Sequence, residues 1–192
     1  DQIRPGTDMK AALQGEKDVF LGWLIREFES GRSSDSVMAL VSGDVEARIS
    51  DRVKQASPNQ LLTWAKDLGA VYDTGNGFMS LSPDLAKTAE ERLMSQLRDE
   101  TSGNPLGELF LPSFSAARRA EAVFETRKIL LKAAFAVFEN GPTALDQTEY
   151  HDPFGDGPFE LKRVEGGAEL ISDLQRQDAP IKLLVPGLDG AP

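Results

Sequence analysis

The sequence of 192 residues contains no cysteine and a single histidine, His151. Without cysteine, this sequence offers no disulfide, no thiolate nucleophile and no cysteine ligand for a zinc ribbon or an iron–sulfur cluster. One histidine also excludes a metal site built on two histidines of the same chain. The absence of cysteine leaves the redox compartment of the protein undecided.

The sequence is also short of basic residues and of long apolar segments. It contains 21 lysines and arginines and 31 aspartates and glutamates, which gives a formal net charge of -10. This charge disfavours binding to nucleic acid phosphates and to anionic lipid surfaces. The longest helical apolar run, 129–138, is interrupted by Lys132 and is shorter than the roughly 20 residues that span a bilayer. We therefore expect no nucleic-acid partner and no membrane insertion by this segment.

Helical periodicity fills most of the first 140 residues. Apolar residues recur at three- and four-residue steps, and Ser-Pro pairs and glycines mark helix starts and ends. Helices are predicted over 7–30, 34–55 (as one helix or two), 58–68, 83–98 and 115–140. The stretch 71–81 has a glycine-rich centre between two short apolar flanks, which predicts a small hairpin or packed loop. A phosphate-binding loop is the alternative, but the Lys-Ser/Thr pair that completes such a loop is missing. Residues 101–114 are interpreted as an irregular link.

The helix over 115–140 has an apolar face that we predict to be core. Its members are Ala116, Ala120, Val123, Phe124, Leu131, Ala134, Phe135 and Phe138. The three phenylalanines are interpreted as core side chains rather than as an aromatic ligand box.

Beyond residue 150 the pattern changes from helix to turn and strand. Glycines and prolines precede three short apolar segments, which predict strands over 159–164, 168–172 and 181–185. The predicted fold is therefore α+β: mainly α, with five or six helices and a small C-terminal antiparallel sheet. We expect a single domain over 1–192, with a helical body over 1–145 and a hairpin appendage over 150–190.

Short motifs in this region carry a resemblance. Asp152-Pro-Phe-Gly, Gly157-Pro-Phe and Gly187-Leu-Asp-Gly follow a long helix and a Gly-Pro turn. Residues 115–190 resemble a cassette that ends many uncharacterised exported bacterial proteins and, more remotely, the C-terminal part of type II secretion pseudopilins. The chain departs from pseudopilins because it has no apolar N-terminal helix for filament assembly. The resemblance implies a bacterial, extracytoplasmic location, in the periplasm or at the cell surface.

Pseudopilin tails can bind calcium, so the resemblance also implies a candidate calcium site. The matching positions that offer oxygen ligands are Asp152, Asp156 and Asp189. Their spacing is not that of an EF-hand, which places a glutamate at its twelfth position. Turn formation through the side-chain oxygens of Asp152 and Asp156 is the interpretation that we favour. No other cofactor is predicted.

Catalysis would need paired carboxylates or a nucleophile with a base. Glycoside hydrolysis needs only two carboxyl groups, and the helical candidates are Glu16, Glu27, Glu121 and Glu125. Ion pairs with nearby basic residues are the competing explanation for these glutamates. His151 is a candidate general base, with Ser113, Ser115 and Ser172 as candidate nucleophiles. No Gly-x-Ser-x-Gly motif supports that chemistry.

The predicted function is therefore non-catalytic. We expect an exported or membrane-anchored domain with a protein-interaction or scaffolding role and a protein partner of unknown identity. The start at Asp1 leads us to expect that a signal peptide, an anchor or a tag preceded this segment. Two alternatives stay open: a hydrolase acting on a glycan through paired buried carboxylates, and a calcium-stabilised pseudopilin-like module.

Overall fold

The computed structural model describes residues 8–31, 47–99, 101–176 and 178–187. These residues are mainly helical and end in a three-stranded antiparallel sheet, which confirms the α+β prediction. The part of the predicted second helix over 34–46 lies outside the described residues. The helices are α1 (Met9–Glu29), α2 (Ala47–Gln55), α3 (Pro58–Phe78), α4 (Pro83–Leu97), α5 (Pro105–Phe110) and α6 (Phe114–Asn140). Two 3-10 turns (Pro142–Asp146, Thr148–Tyr150) lead to strands β1 (Glu160–Val164), β2 (Gly167–Arg176) and β3 (Ala179–Pro186).

Side-chain caps fix several of the helix starts. The Asp8 carboxylate accepts a hydrogen bond from the backbone N–H of Ala11 at the start of α1. Ser57 and Gln60 form a reciprocal capping box around Pro58 at the start of α3. Asn104 caps α5, a helix that occupies part of the segment predicted as an irregular link. That prediction was wrong because residues 105–110 form a short capped helix.

Helix α3 continues far beyond Gly69, so the predicted end of the helix and the predicted hairpin over 71–81 are both wrong. Each glycine costs a helix up to about 1 kcal/mol relative to alanine. Tertiary packing offsets this cost, since Tyr72 and Phe78 are buried and the Phe114 ring lies against Gly75. A Cβ atom on Gly75 would come within 2.2 Å of that ring, so only glycine fits the contact.

Two compact units make up the chain, one over residues 1–118 and one over 119–192. The α6 helix begins in the first unit and continues into the second. Contacts place α1 against α3, and α5 against α2, α3 and α4. The prediction of one domain over 1–192 stays a prediction.

The core of the first unit combines aliphatic and aromatic side chains. The Phe114 ring meets the Tyr72 and Phe78 rings edge-on, at centroid distances of 6.0 and 6.2 Å. Fully or almost fully buried aliphatic residues belong to the same core. They are Leu24, Val53, Leu61, Leu68 and Leu106.

The second unit packs α6 and the sheet into a separate core. The strand order is β1-β2-β3. Among the described residues, no further strand lies at the outer edge of β1 or of β3, and we call such an edge free. From the helix, small and medium side chains enter this core: Ala122, Leu130, Ala133, Ala134 and Val137. From the sheet region the contributors are Phe159, Leu170, Leu174, Ile181 and Val185.

The predicted core face of α6 is therefore wrong for its largest members. Phe124, Phe135 and Phe138 are 47%, 61% and 64% exposed, and Leu131 is 46% exposed. The exposed and buried sets both recur at three- and four-residue steps, because apolar residues cover most of the helix circumference. Small side chains such as Ala122 and Ala133 allow close approach to the sheet, whereas phenylalanine rings in their place would overpack it.

Candidate functional site

The glutamates predicted as catalytic carboxylates line none of four surface depressions in the described part of the chain. Glu16 is exposed on α1. Burial raises the pKa of Tyr72 to about 12, and the negative charge of Glu16 adds to this shift. Glu121 and Glu125 lie one turn apart on α6, half-buried, and each interacts with another group, as does Glu27. The glycan-hydrolase alternative stays a prediction.

Two depressions are each lined by a pair of glutamates, but none of these four glutamates was a candidate in the sequence analysis. Glu90 and Glu91 line the first. The Glu90 carboxylate accepts hydrogen bonds from the Ser113 hydroxyl at 3.3 Å and the Ser115 N–H at 3.4 Å, and it also contacts the Ser115 hydroxyl. The Glu90 carboxylate therefore caps the start of α6. It also binds the hydroxyl groups of Ser113 and Ser115, the two candidate nucleophiles in this region.

The second pair is Glu139 and Glu149, which line a depression beside Tyr150. Both glutamates are exposed, so neither lies in the buried apolar setting that a catalytic acid needs. A hydrogen bond with Glu149 raises the pKa of Tyr150, with smaller contributions from desolvation and from the charges of Glu149 and Glu139. The two glutamates therefore lie on a solvated part of the surface, which also carries Lys132.

Two of the predicted site residues, Asp152 and Ser172, are buried, and they contact each other. Asp152 is the acceptor at the centre of their hydrogen-bond network. Its carboxylate accepts hydrogen bonds from the Phe154 N–H at 3.1 Å, the Ser172 hydroxyl at 2.8 Å and the Asp173 N–H at 2.7 Å. The Ser172 hydroxyl in turn accepts from the Leu174 N–H at 3.0 Å. The β2–β3 register shifts between Ile171 and Gln175. The side chains of Asp152 and Ser172 therefore satisfy backbone donors at the shift.

This network supports a structural role for Asp152 and Ser172. The Ser172 hydroxyl is buried and donates to a carboxylate, so it is not poised as a nucleophile. His151 is half-buried and pairs with Pro158 through an isolated bridge between backbones. A Cβ atom on Gly155 would lie 2.6 Å from an Asp173 side-chain oxygen, so a substitution there would require the Asp173 side chain to shift.

The candidate calcium ligands are not gathered into a site by the described residues. Asp156 is exposed, and Asp189 lies outside the described residues. Within the ranges that the structure covers, no group of three or more histidine, cysteine, aspartate or glutamate side chains is placed to hold a metal ion. Asp152 instead forms the turn, as the favoured interpretation predicted.

The most distinctive surface of the second unit is apolar and lies where α6 meets β3. Leu131, Phe135 and Phe138 project from the helix, and Leu184, which is 52% exposed, projects from the strand. We call these four residues the α6–β3 surface. They line a depression of about 300 Å³, and its remaining lining residues, Ala134, Leu183, Val185 and Pro186, are also apolar. Soluble monomers rarely expose clustered large apolar side chains unless the cluster binds something.

A second depression, of about 440 Å³, continues the first along the same helix and strand. Leu131 and Leu183 line both. Its cations are Arg127, Arg176 and Lys182, and none of its described lining residues is acidic. Lys182 pairs with Glu169 at 2.8 Å. We call this second depression the basic groove; it is a local positive region on a chain with a formal net charge of -10.

Sequence reasoning missed the α6–β3 surface because it assigned the three residues that α6 contributes to it, Leu131, Phe135 and Phe138, to the core. A signal was present in the run 129–138, where only Lys132 is polar. A helix segment that is apolar around its circumference has more apolar surface than one packing face can bury. The excess predicts either a second packing partner or an exposed binding surface.

None of the helices in the described ranges is both long and apolar enough to cross a membrane. The resemblance of residues 115–190 to pseudopilin tails stays a prediction. Comparisons with protein-family models, with curated proteins and with solved structures give no match to this chain.

Proposed function

We propose that this chain is a non-catalytic domain that binds a protein partner through the α6–β3 surface. The observation that carries the proposal is the joint exposure of Phe135, Phe138 and Leu184 around one apolar depression. Aromatic side chains of this kind are enriched among the residues that dominate binding energy in protein interfaces. The exported, extracytoplasmic location expected from the sequence belongs to the same proposal, with a scaffolding role outside the cytoplasm.

The chemistry of the molecule agrees with binding rather than catalysis. The buried carboxylate of Asp152 is held by three donors within its own fold, and the Glu90 carboxylate caps a helix. Each of these groups is engaged in structure. The exposed apolar surface, in contrast, gains free energy only when another molecule covers it, at roughly 25 cal/mol per Å² of apolar area removed from water.

Site-specific photo-crosslinking in the native cell tests this proposal. A photoreactive phenylalanine analogue is placed at position 135, at position 138 or, as a matched control, at position 124. Phe124 is also an exposed phenylalanine of α6, but it lines neither the apolar depression nor the basic groove. We expect a discrete protein adduct from positions 135 and 138 and none from position 124.

Reconstitution with the purified partner completes the test. Phe135→Ser with Phe138→Ser is expected to weaken binding at least about tenfold, as for central residues of an interface. Phe124→Ser is expected to leave the affinity unchanged. Equal affinities for these variants and the wild type, or the same adduct from all three positions, would contradict the proposal.

A further inference from the structure

We infer that the partner presents an extended segment that adds a fourth strand to the free edge of β3, with apolar side chains over the α6–β3 surface and a carboxylate in the basic groove. This inference rests on the proposed function and specifies the chemistry of the partner. It follows from three features of the second unit: the hydrogen-bonding groups of the β3 edge, the apolar wall beside that edge, and the charge at one end of it.

The free edge of β3 presents backbone donors and acceptors. The Gly187 N–H donates to the Gly166 carbonyl, and the register pairs Gly167 with Pro186, Ala168 with Val185 and Leu170 with Leu183. Bonded and non-bonded pairs alternate in an antiparallel ladder. Leu183 and Val185 therefore bond to β2, whereas Lys182 and Leu184 direct their N–H and C=O groups to the free edge.

The edge also has a defined end. Pro186 comes two residues after Leu184 in the same outward-facing series and has no N–H to donate. Proline is one of the devices that limit strand pairing at sheet edges. The pairing template is thus short and covers Lys182 and Leu184, which suits the docking of one short segment rather than open-ended association.

The α6 helix forms an apolar wall alongside this edge. Strand residues before Leu183 share the basic groove with Arg127 and Leu131, and those after it share the apolar depression with Phe135 and Phe138. From Arg127 to Phe138 the helix rises about 16 Å, which is the length of about five residues of extended chain. Alternate side chains of a fourth strand would pack on the α6–β3 surface.

Charge gives the bound segment its second feature. Arg127 and Arg176 are exposed, and neither forms an ion pair within the described residues. A carboxylate on the incoming segment would pair with these guanidinium groups, which are suited to bidentate recognition. At one end of the partner segment, every second residue is therefore apolar. At the other end the segment carries an acidic residue.

Peptide selection against the full chain tests the inference. The probe is a phage-displayed library of random peptides of about ten residues, which exceeds the length that the edge accommodates. We expect the selected peptides to share alternating apolar residues and one acidic residue. The best peptide is then synthesised, and its affinity for the wild type and variants is measured by fluorescence anisotropy.

The edge is tested by Leu184→Pro against Leu184→Ala. Both variants remove the same side chain, but only proline removes the outward N–H, and proline is tolerated at an edge position of this kind. We expect Leu184→Pro to bind at least about tenfold more weakly than Leu184→Ala. Hydrogen exchange at Leu183 and Val185 checks that β3 remains paired with β2. If proline disturbs β3, a backbone N-methylated peptide tested on the wild type replaces it, and the same loss is expected.

The outcomes separate this inference from the proposed function. If Phe135→Ser weakens peptide binding and Phe124→Ser does not, while Leu184→Pro matches Leu184→Ala and N-methylation has no effect, the surface binds protein but not as a strand. The inference then fails alone. If Phe135→Ser has no more effect than Phe124→Ser, both fail. A library that yields no specific peptide also overturns the inference.

Two other occupants are checked in parallel. Sedimentation of the chain alone tests for a second copy, and co-sedimentation with phosphatidylglycerol vesicles tests for a lipid surface. Self-association or vesicle binding that is lost in Phe135→Ser but not in Phe124→Ser would assign the surface to that occupant and overturn the inference. Arg127→Gln with Arg176→Gln is expected to weaken peptide binding several-fold and to reduce its salt dependence.

Discussion

The two compact units place the aromatic side chains of their α-helices in opposite environments. In the first unit Tyr72 and Phe114 are completely or almost completely buried and meet edge-on. In the second unit Phe135 and Phe138 are more than half exposed, while smaller side chains such as Ala133 and Val137 fill the helix side of the core. An aromatic side chain thus stabilises the fold where the surrounding core has the volume to hold it. Where the core does not, the side chain stays exposed and is available for binding.

The largest expected effect comes from removing one phenylalanine in each unit. Phe114→Ala should lower the free energy of unfolding by about 4 kcal/mol, because it leaves a cavity beside Tyr72 and Phe78. Phe135→Ala should change stability by no more than about 0.5 kcal/mol, because the ring is largely in water. Chemical denaturation followed by circular dichroism measures both. Both tryptophans, Trp23 and Trp64, lie in the first unit, so their fluorescence follows that unit separately.

Similar losses for these two alanine variants would break the comparison, since they would mean that Phe135 is covered in the folded protein. A loss confined to Phe114→Ala would confirm it. The tryptophan fluorescence transition of Phe114→Ala should then move to lower denaturant concentration, and that of Phe135→Ala should stay in place.

A smaller effect is expected from adding a methyl group within one helix. Gly75→Ala should cost about 3 kcal/mol, because the new Cβ would overlap the Phe114 ring. Gly77→Ala is the matched control, since nothing lies within 4 Å of a Cβ there. Gly77→Ala should stabilise α3 by about 0.5–1 kcal/mol through helix propensity. Thermal and chemical denaturation would show the opposite signs, and two neutral variants would refute the packing explanation for α3.

The smallest of the three effects concerns the turn of the second unit. Asp152→Ala should cost about 2–3 kcal/mol, because it leaves three donors without their acceptor. Asp156→Ala, at an exposed position of the same turn, should cost less than about 0.5 kcal/mol. Hydrogen exchange gives a local measurement, in which the Asp173 amide should lose protection in Asp152→Ala and keep it in Asp156→Ala. Unchanged protection in both variants would contradict a structural role for Asp152.

Much of the fold could be predicted from local sequence signals. The Ser57-Pro58 start of α3, the Gly141-Pro142 end of α6 and the three C-terminal strands are all confirmed. These signals depend on interactions within a few residues, so they can be recognised without knowledge of the tertiary structure. The turn-forming role of Asp152 was predicted in the same way, from side-chain capping chemistry.

The candidate site could not be predicted, because its residues are exposed only as a result of how α6 packs against the sheet. Phe135 and Phe138 have the spacing of core residues, and the sequence does not state which stripe of α6 meets the sheet. Likewise, the glycines after Gly69 indicate a loop until the Phe114 ring is placed against Gly75. Both errors come from contacts between segments far apart in the chain.

The sequence by itself determined the absence of cysteine chemistry, the α+β class, the start of α3, the end of α6, the three C-terminal strands and the turn at Asp152. The tertiary structure alone decided that α3 continues through its glycines and that the phenylalanines of α6 lie outside the core. The physical reason is that capping, turn formation and periodicity are local properties of a segment. The choice among several apolar faces, in contrast, depends on the shape and volume of the surface that packs against them.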